Sequence, residues 1–155
     1  MSLLDRLRRR TTPTPPAPLT VEERGRQHHD EIRTMLREQA ASSPIQAAHI
    51  AAGSVDGTHY LELLEPIKQA KREGRLDDAL ALAYQAIQGA EGDRGAYGPA
   101  PAYTEHAAII LRKLGRLDEE AAVLDRYLAW LTPEQRTGHR LEERRAKVRA
   151  LQAAA

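Results

Sequence analysis

Cysteine is absent from the 155 residues, so disulfides, thiolate-held metals, iron–sulfur clusters and cysteine nucleophiles are all excluded. Phenylalanine is absent as well, and the aromatics amount to five Tyr and one Trp. A core must therefore be built from Leu, Ile, Val and Ala, side chains that suit closely spaced helices. No run approaches the ~20 apolar residues of a membrane span, and the first residues lack the apolar stretch of a secretion signal; a cytoplasmic protein is the expectation. Charge of one sign is missing too. Lys and Arg total 23 against 22 Asp and Glu, a formal net charge of +1, which does not supply the strong field of a general nucleic-acid binder. Lysine itself is scarce: only Lys68, Lys71, Lys113 and Lys147 stand among the 23 bases. The length matches one compact domain and leaves no room for a second large catalytic one.

Three zones follow along the chain. Residues 1–18 read as a detached tail: Leu3, Leu4 and Leu7 sit among Arg6, Arg8, Arg9 and Arg10, and four prolines in Thr11–Pro18 favour a semi-rigid extended linker. Residues 19–57 form an N-terminal helical segment. Thr20-Val21-Glu22-Glu23 fits a capping box and starts a helix expected to run to about Ala41. Its apolar stripe is thin, consisting of Val21, Ile32, Met35, Leu36 and Ala40, with Gly25 and His28 on the same side. Ser43-Pro44 begins a second, short helix ending at Gly53, and Asp56-Gly57-Thr58 makes a turn.

Residues 58–155 carry a repeat. Gly74-Arg75-Leu76-Asp77 recurs as Gly115-Arg116-Leu117-Asp118, 41 residues later. Tyr60, Leu64, Ile67 and Ala70 precede the first phrase, and Leu76, Ala79, Leu80, Ala83, Ile87 and Ala90 follow it, at the three-and-four spacing of a buried helix face. Tyr103, Ala107, Ile110, Leu111 and Leu114, then Leu117, Ala121, Leu124, Leu128 and Leu131, repeat the pattern. Each unit is expected to be a helical hairpin turning at its glycine, the residue that enters the left-handed conformation without strain. Pro66 requires that the first of these helices either begin there or kink. Thr132-Pro133-Glu134-Gln135 starts a last helix, expected to run to about Gln152 through Leu141, Val148 and Leu151 and to cap the open end of the stack.

These residues resemble the tetratricopeptide repeat, whose hairpins carry a Gly-x-Leu/Tyr-x-x-Ala phrase at the turn and small residues where helices cross. Gly74, Leu76, Ala79, Ala83 and Ala86 match that pattern, as do Ala107, Ala108, Leu111, Gly115 and Leu117. Glu120 departs from it, standing where a small residue belongs. The 41-residue spacing exceeds the usual 34, an excess that fits the loop Gly92–Pro99. A looser similarity, over Tyr60–Trp130, links the chain to helical C-terminal segments of actinobacterial proteins, some of which carry a HIRAN domain that has no counterpart here. The resemblance implies an all-α protein of two tetratricopeptide-like hairpins with a flanking N-terminal helix and a C-terminal cap. It also implies a non-enzymatic module that binds a peptide or partner helix, without cofactor.

Candidate sites are few. His28-His29-Asp30 diverge around a helix, and no HExxH or comparable ligand spacing occurs. Asp77-Asp78 and Glu119-Glu120 lie in first helical turns, where negative charge complements the helix dipole. Neither a P-loop nor a GxSxG turn is present. Tyr103 and Tyr127 fall on or beside the buried stripes. Tyr97 and Trp130 do not, and with Arg94 and Arg112 they form the candidate partner-binding set. Charge is uneven: residues 1–10 and 134–155 each carry +3, leaving −5 for the middle. That distribution makes Arg6, Arg8, Arg9, Arg10, Arg140 and Arg144 the set for an alternative role as a nucleic-acid accessory protein. Homodimerisation would help a short array close its core.

Overall fold

The computed structural model describes residues 16–155, so the tail residues through Pro15, including Arg6, Arg8, Arg9 and Arg10, lie outside the described residues. The described chain is mostly helical. In order it forms α1 (Val21–Ser42), α2 (Pro44–Ala52), a two-residue-per-strand hairpin of β1 (Ser54–Val55) and β2 (Thr58–His59), and a 3-10 turn (Tyr60–Leu63). Then come α3 (Leu64–Arg72), α4 (Leu76–Gly92), α5 (Pro101–Lys113), α6 (Leu117–Leu128), α7 (Pro133–Arg136) and α8 (Arg140–Ala153). Thr20 and Glu23 exchange the two hydrogen bonds of the expected capping box at the head of α1.

The two glycine corners close identically. Arg75 N–H donates to Ala70 O at 2.9 Å and Gly74 N–H to Lys71 O at 3.2 Å; in the second corner Arg116 N–H donates to Leu111 O at 2.9 Å and Gly115 N–H to Arg112 O at 3.1 Å. This is the Schellman pattern, and it requires the left-handed φ of +74° at Gly74 and +71° at Gly115. In each case the chain reverses, so that α3 packs on α4 and α5 on α6, while α4 and α5 pack across the intervening loop. The two corners become neighbours, with Arg116 Nη1 3.6 Å from Asp77 Oδ1.

The core is one continuous cluster. Ile67, Ala79, Ala83, Ala86, Ala107, Ala108, Ile110, Leu111 and Leu124 are sealed within it, and Tyr103 and Tyr127 are buried as the stripes required. Alanines at the crossings let backbones approach, and two glycines take this further. A Cβ on Gly89 would stand 2.5 Å from Gly53 O, and one on Gly92 would collide with Ala52 O, so the end of α2 rests directly on α4. Gly92 is accordingly helical, where the sequence assigned it to the loop.

Three local expectations are corrected. The α-helix starts two residues ahead of Pro66, at Leu64; Pro66 is the third residue of a first turn that has no intrahelical acceptor for its amides, so the missing N–H costs nothing there. The 3-10 turn before it absorbs the residues the sequence placed in a longer helix. The last helix is two: Thr137 is extended, Gly138 takes φ +70°, and His139 restarts the helix by accepting from Leu141 N–H at 3.2 Å. Of its expected apolar stripe, Leu141 and Val148 are fully buried against the core but Leu151 remains 42% exposed.

Glu120 receives a physical explanation. It is fully buried, takes Arg112 Nε at 2.5 Å and Nη2 at 3.1 Å, and takes Arg144 Nε at 2.9 Å. The residue that broke the small-residue pattern thus ties α5, α6 and α8 together. By contrast α1 buries only Gly25 and Leu36, and Leu36 stands apart from the main cluster. Arg33 with Glu62 at 3.2 Å supplements this shallow contact.

Candidate functional site

The candidate aromatics converge at one end of the stack. Glu91 occupies the last turn of α4, and Trp130 lies just beyond α6, which returns α4's neighbour to the same end. Arg126 on α6 grips Glu91 through both oxygens, at 2.7 and 2.6 Å, and Trp130 Nε1–H donates to Glu91 Oε1 at 3.3 Å. The bond to Glu91 holds the Arg126 guanidinium above its ordinary pKa.

The loop after α4 folds back over this anchor. Arg94 donates to Glu91 O at 2.6 Å and places its guanidinium 4.1 Å from the centre of the Trp130 ring, a cation–π contact worth about 0.5–1 kcal/mol at an exposed position. Gly95 and Gly98 bridge the loop, and Gly98 seats against Leu131 and the Cβ of Trp130. Tyr97, held between them, is 87% exposed, and Trp130 is 41% exposed. An arginine and an aromatic ring anchored on Glu91 therefore stand beside the loop that carries Tyr97, with most of the tyrosine bare to solvent.

The fourth member of the set is elsewhere. Arg112 lies at the far end of α5, roughly 16 Å along that helix from its first residue, and its guanidinium is engaged by Glu120. Of the nucleic-acid set, Arg140 pairs with Glu105 at 2.9 Å and Arg144 with Glu120 at 2.9 Å, while the four tail arginines lie outside the described residues. Glu91 and Arg126, which anchor the corner, were not legible in sequence, because they stand 35 residues apart with no shared motif.

Other concavities are less ordered. A cleft of about 370 Å³ runs between α1 and α3, floored by Gly25 and Pro66 and rimmed by Glu22, Arg26, Asp30 and Arg72, with no dominant charge. Among the described residues, no group of three or more His, Asp or Glu side chains is arranged to hold a metal ion, and no helix is long and apolar enough to cross a membrane. Burial shifts the tyrosines: Tyr103 is pushed up to about 12, first by desolvation and then by Tyr60, whose ring meets it edge-on at 5.5 Å. Compared with protein-family models, curated proteins and solved structures, the chain matches none.

Proposed function

We propose that the chain is a non-catalytic interaction module of two tetratricopeptide-like hairpins that receives a peptide or a helix of a partner protein. The observation that carries this reading is the corner of Tyr97, Arg94 and Trp130, whose residue types are those that dominate binding energy at protein interfaces; the footing of Trp130 and Arg94 on Glu91 limits the ordering cost of an encounter. The matched corners at Gly74 and Gly115 support the repeat character. Two hairpins are few for such an array, so α1 and α8 cover its ends, and association of two copies belongs to the same reading. A cytoplasmic location goes with it.

The test is affinity capture from the native host, read by mass spectrometry, with the intact chain, the chain lacking residues 1–18, and a Tyr97→Ala/Trp130→Ala variant. A protein retained without the tail and lost with the aromatic variant supports the reading; equal capture by all three refutes the corner. Steeply salt-dependent DNA or RNA binding that disappears with residues 1–18 would favour the nucleic-acid role instead.

A further inference from the structure

Three of the four lysines gather on one side of the stack. Lys68 and Lys71 are one turn apart on α3, and His106 and Lys113 are two turns apart on α5, so each pair shares a helix face. The contact between the helices is direct: Lys71 Nζ lies 3.1 Å from His106 Nδ1. An ammonium has only donors to offer, so Nδ1 must present its lone pair and the ring proton resides on Nε2, leaving a further donor free. Among the described residues Lys71 and Lys113 have no carboxylate partner, whereas Lys68 has Glu65 at 3.0 Å, and Glu105 is paired with Arg140 at 2.9 Å.

The neighbourhood is therefore two positive charges out of balance. Burial and then Lys113 push the Lys71 ammonium below its ordinary pKa, while burial and then Lys71 push His106 down. Among the described residues the other Lys or Arg pairs with carboxylates use arginine, whose planar guanidinium fits that geometry. Lysine is a compact point charge that also binds phosphate-class anions.

We propose that Lys68, Lys71, His106 and Lys113 bind a phosphate-class dianion, with the Lys71 and Lys113 ammoniums balancing its two charges and His106 donating through Nε2. The site stands independently of the aromatic corner. His106 is faced by Lys68 and Lys71 from α3 and by Glu105 from its own helix, with Arg140 of α8 held by Glu105 and Lys113 close enough to act on Lys71. A bound dianion offsets the lysine charges that add to burial in keeping the ring neutral, and it offers the Lys71 ammonium an acceptor other than Nδ1. Nδ1 is then released to take up a proton, and binding strengthens as the pH falls.

The experiment is an NMR titration of the histidine ring nitrogens of the full chain with sodium sulfate, which keeps two charges throughout, against sodium chloride at matched ionic strength. Sulfate is expected to raise the apparent pKa of His106 and to saturate near about 1 mM. Lys71→Met and Lys113→Ala are each expected to weaken it about tenfold. Lys113 is exposed and makes no side-chain hydrogen bond among the described residues, so its variant should retain the parent circular dichroism. The proposal is overturned if His106 moves no more than the exposed His28 and the half-exposed His29, if Lys113→Ala titrates like the parent, or if acetate binds more tightly than sulfate. Inorganic phosphate and a short phosphoserine peptide distinguish the source: tighter binding of the first assigns a free anion, and of the second a modified protein segment.

Discussion

Replacing Glu120 by alanine would install the small residue that the tetratricopeptide pattern has at this position, yet the structure predicts a loss of stability. The carboxylate is fully buried, while the side chains of Arg112 and Arg144 retain 35% and 25% exposure. Removing one partner from a buried ion pair costs about 3–5 kcal/mol, because the remaining charge is stranded in low dielectric. Here both guanidiniums keep a flank in water, which reduces the expected cost to about 2–3 kcal/mol. For a domain of this length that corresponds to a fall in Tm of roughly 5–10 °C. Glu120→Gln preserves volume and one carbonyl acceptor and should lose about half as much. A triple variant, Arg112→Met with Glu120→Leu and Arg144→Met, removes the charges together and should recover most of the parent stability. Thermal and urea unfolding followed by circular dichroism read all three. A Glu120→Ala chain that melts at or above the parent temperature would refute the view that this cluster secures α8 to the stack.

Gly89→Ala should destabilise by about 1–3 kcal/mol despite its better helix propensity, because the added methyl meets the backbone carbonyl of Gly53. Gly25→Ala should instead stabilise by about 0.5–1 kcal/mol: the atom it meets, at 2.9 Å, is the movable carboxylate end of Glu65. Urea midpoints of opposite sign check the pair, and a stable Gly89→Ala chain would contradict the close seating of α2 on α4. His59 is buried with Nε2 unpartnered, and its Nδ1 accepts from Leu61 N–H at 3.3 Å. Burial holds its pKa below the ordinary value, partly opposed by Asp93 and Glu62. The native state thus binds this proton less readily than the unfolded chain, and stability falls as the pH drops through about 6.5. The drop in melting temperature between about pH 7 and pH 5 should be smaller in His59→Asn, which keeps an acceptor and does not titrate in this range; an unchanged slope would exonerate His59.

Much of the local structure was written in the sequence because its causes are local. Thr20 with Glu23, Ser43 with Pro44, and Gly74 and Gly115 each set a helix end through bonds made within a few residues. The Leu and Ala periodicity marked the buried faces for the same reason. The errors arose where local signals compete: Pro66 is harmless at a helix start, and the break at Gly138 lay within a pattern otherwise suited to one helix. For the candidate site, Tyr97 and Trp130 were identifiable by lying off the stripes, but their shared anchor was not.

Composition, spacing and caps alone determined that the chain is predominantly helical and that it reverses at two glycines, since backbone conformation and helix amphipathicity depend on neighbours a turn or two away. Tertiary structure decided which charges meet. Only there does Glu120 acquire arginines from two other helices, Glu91 join Arg126 beneath Trp130, and Lys71 come within hydrogen-bonding distance of His106. Pairings across 8 to 35 residues, each between different helices, depend on how helices stack, and that stacking is set by the volumes of the whole core rather than by any short stretch of chain.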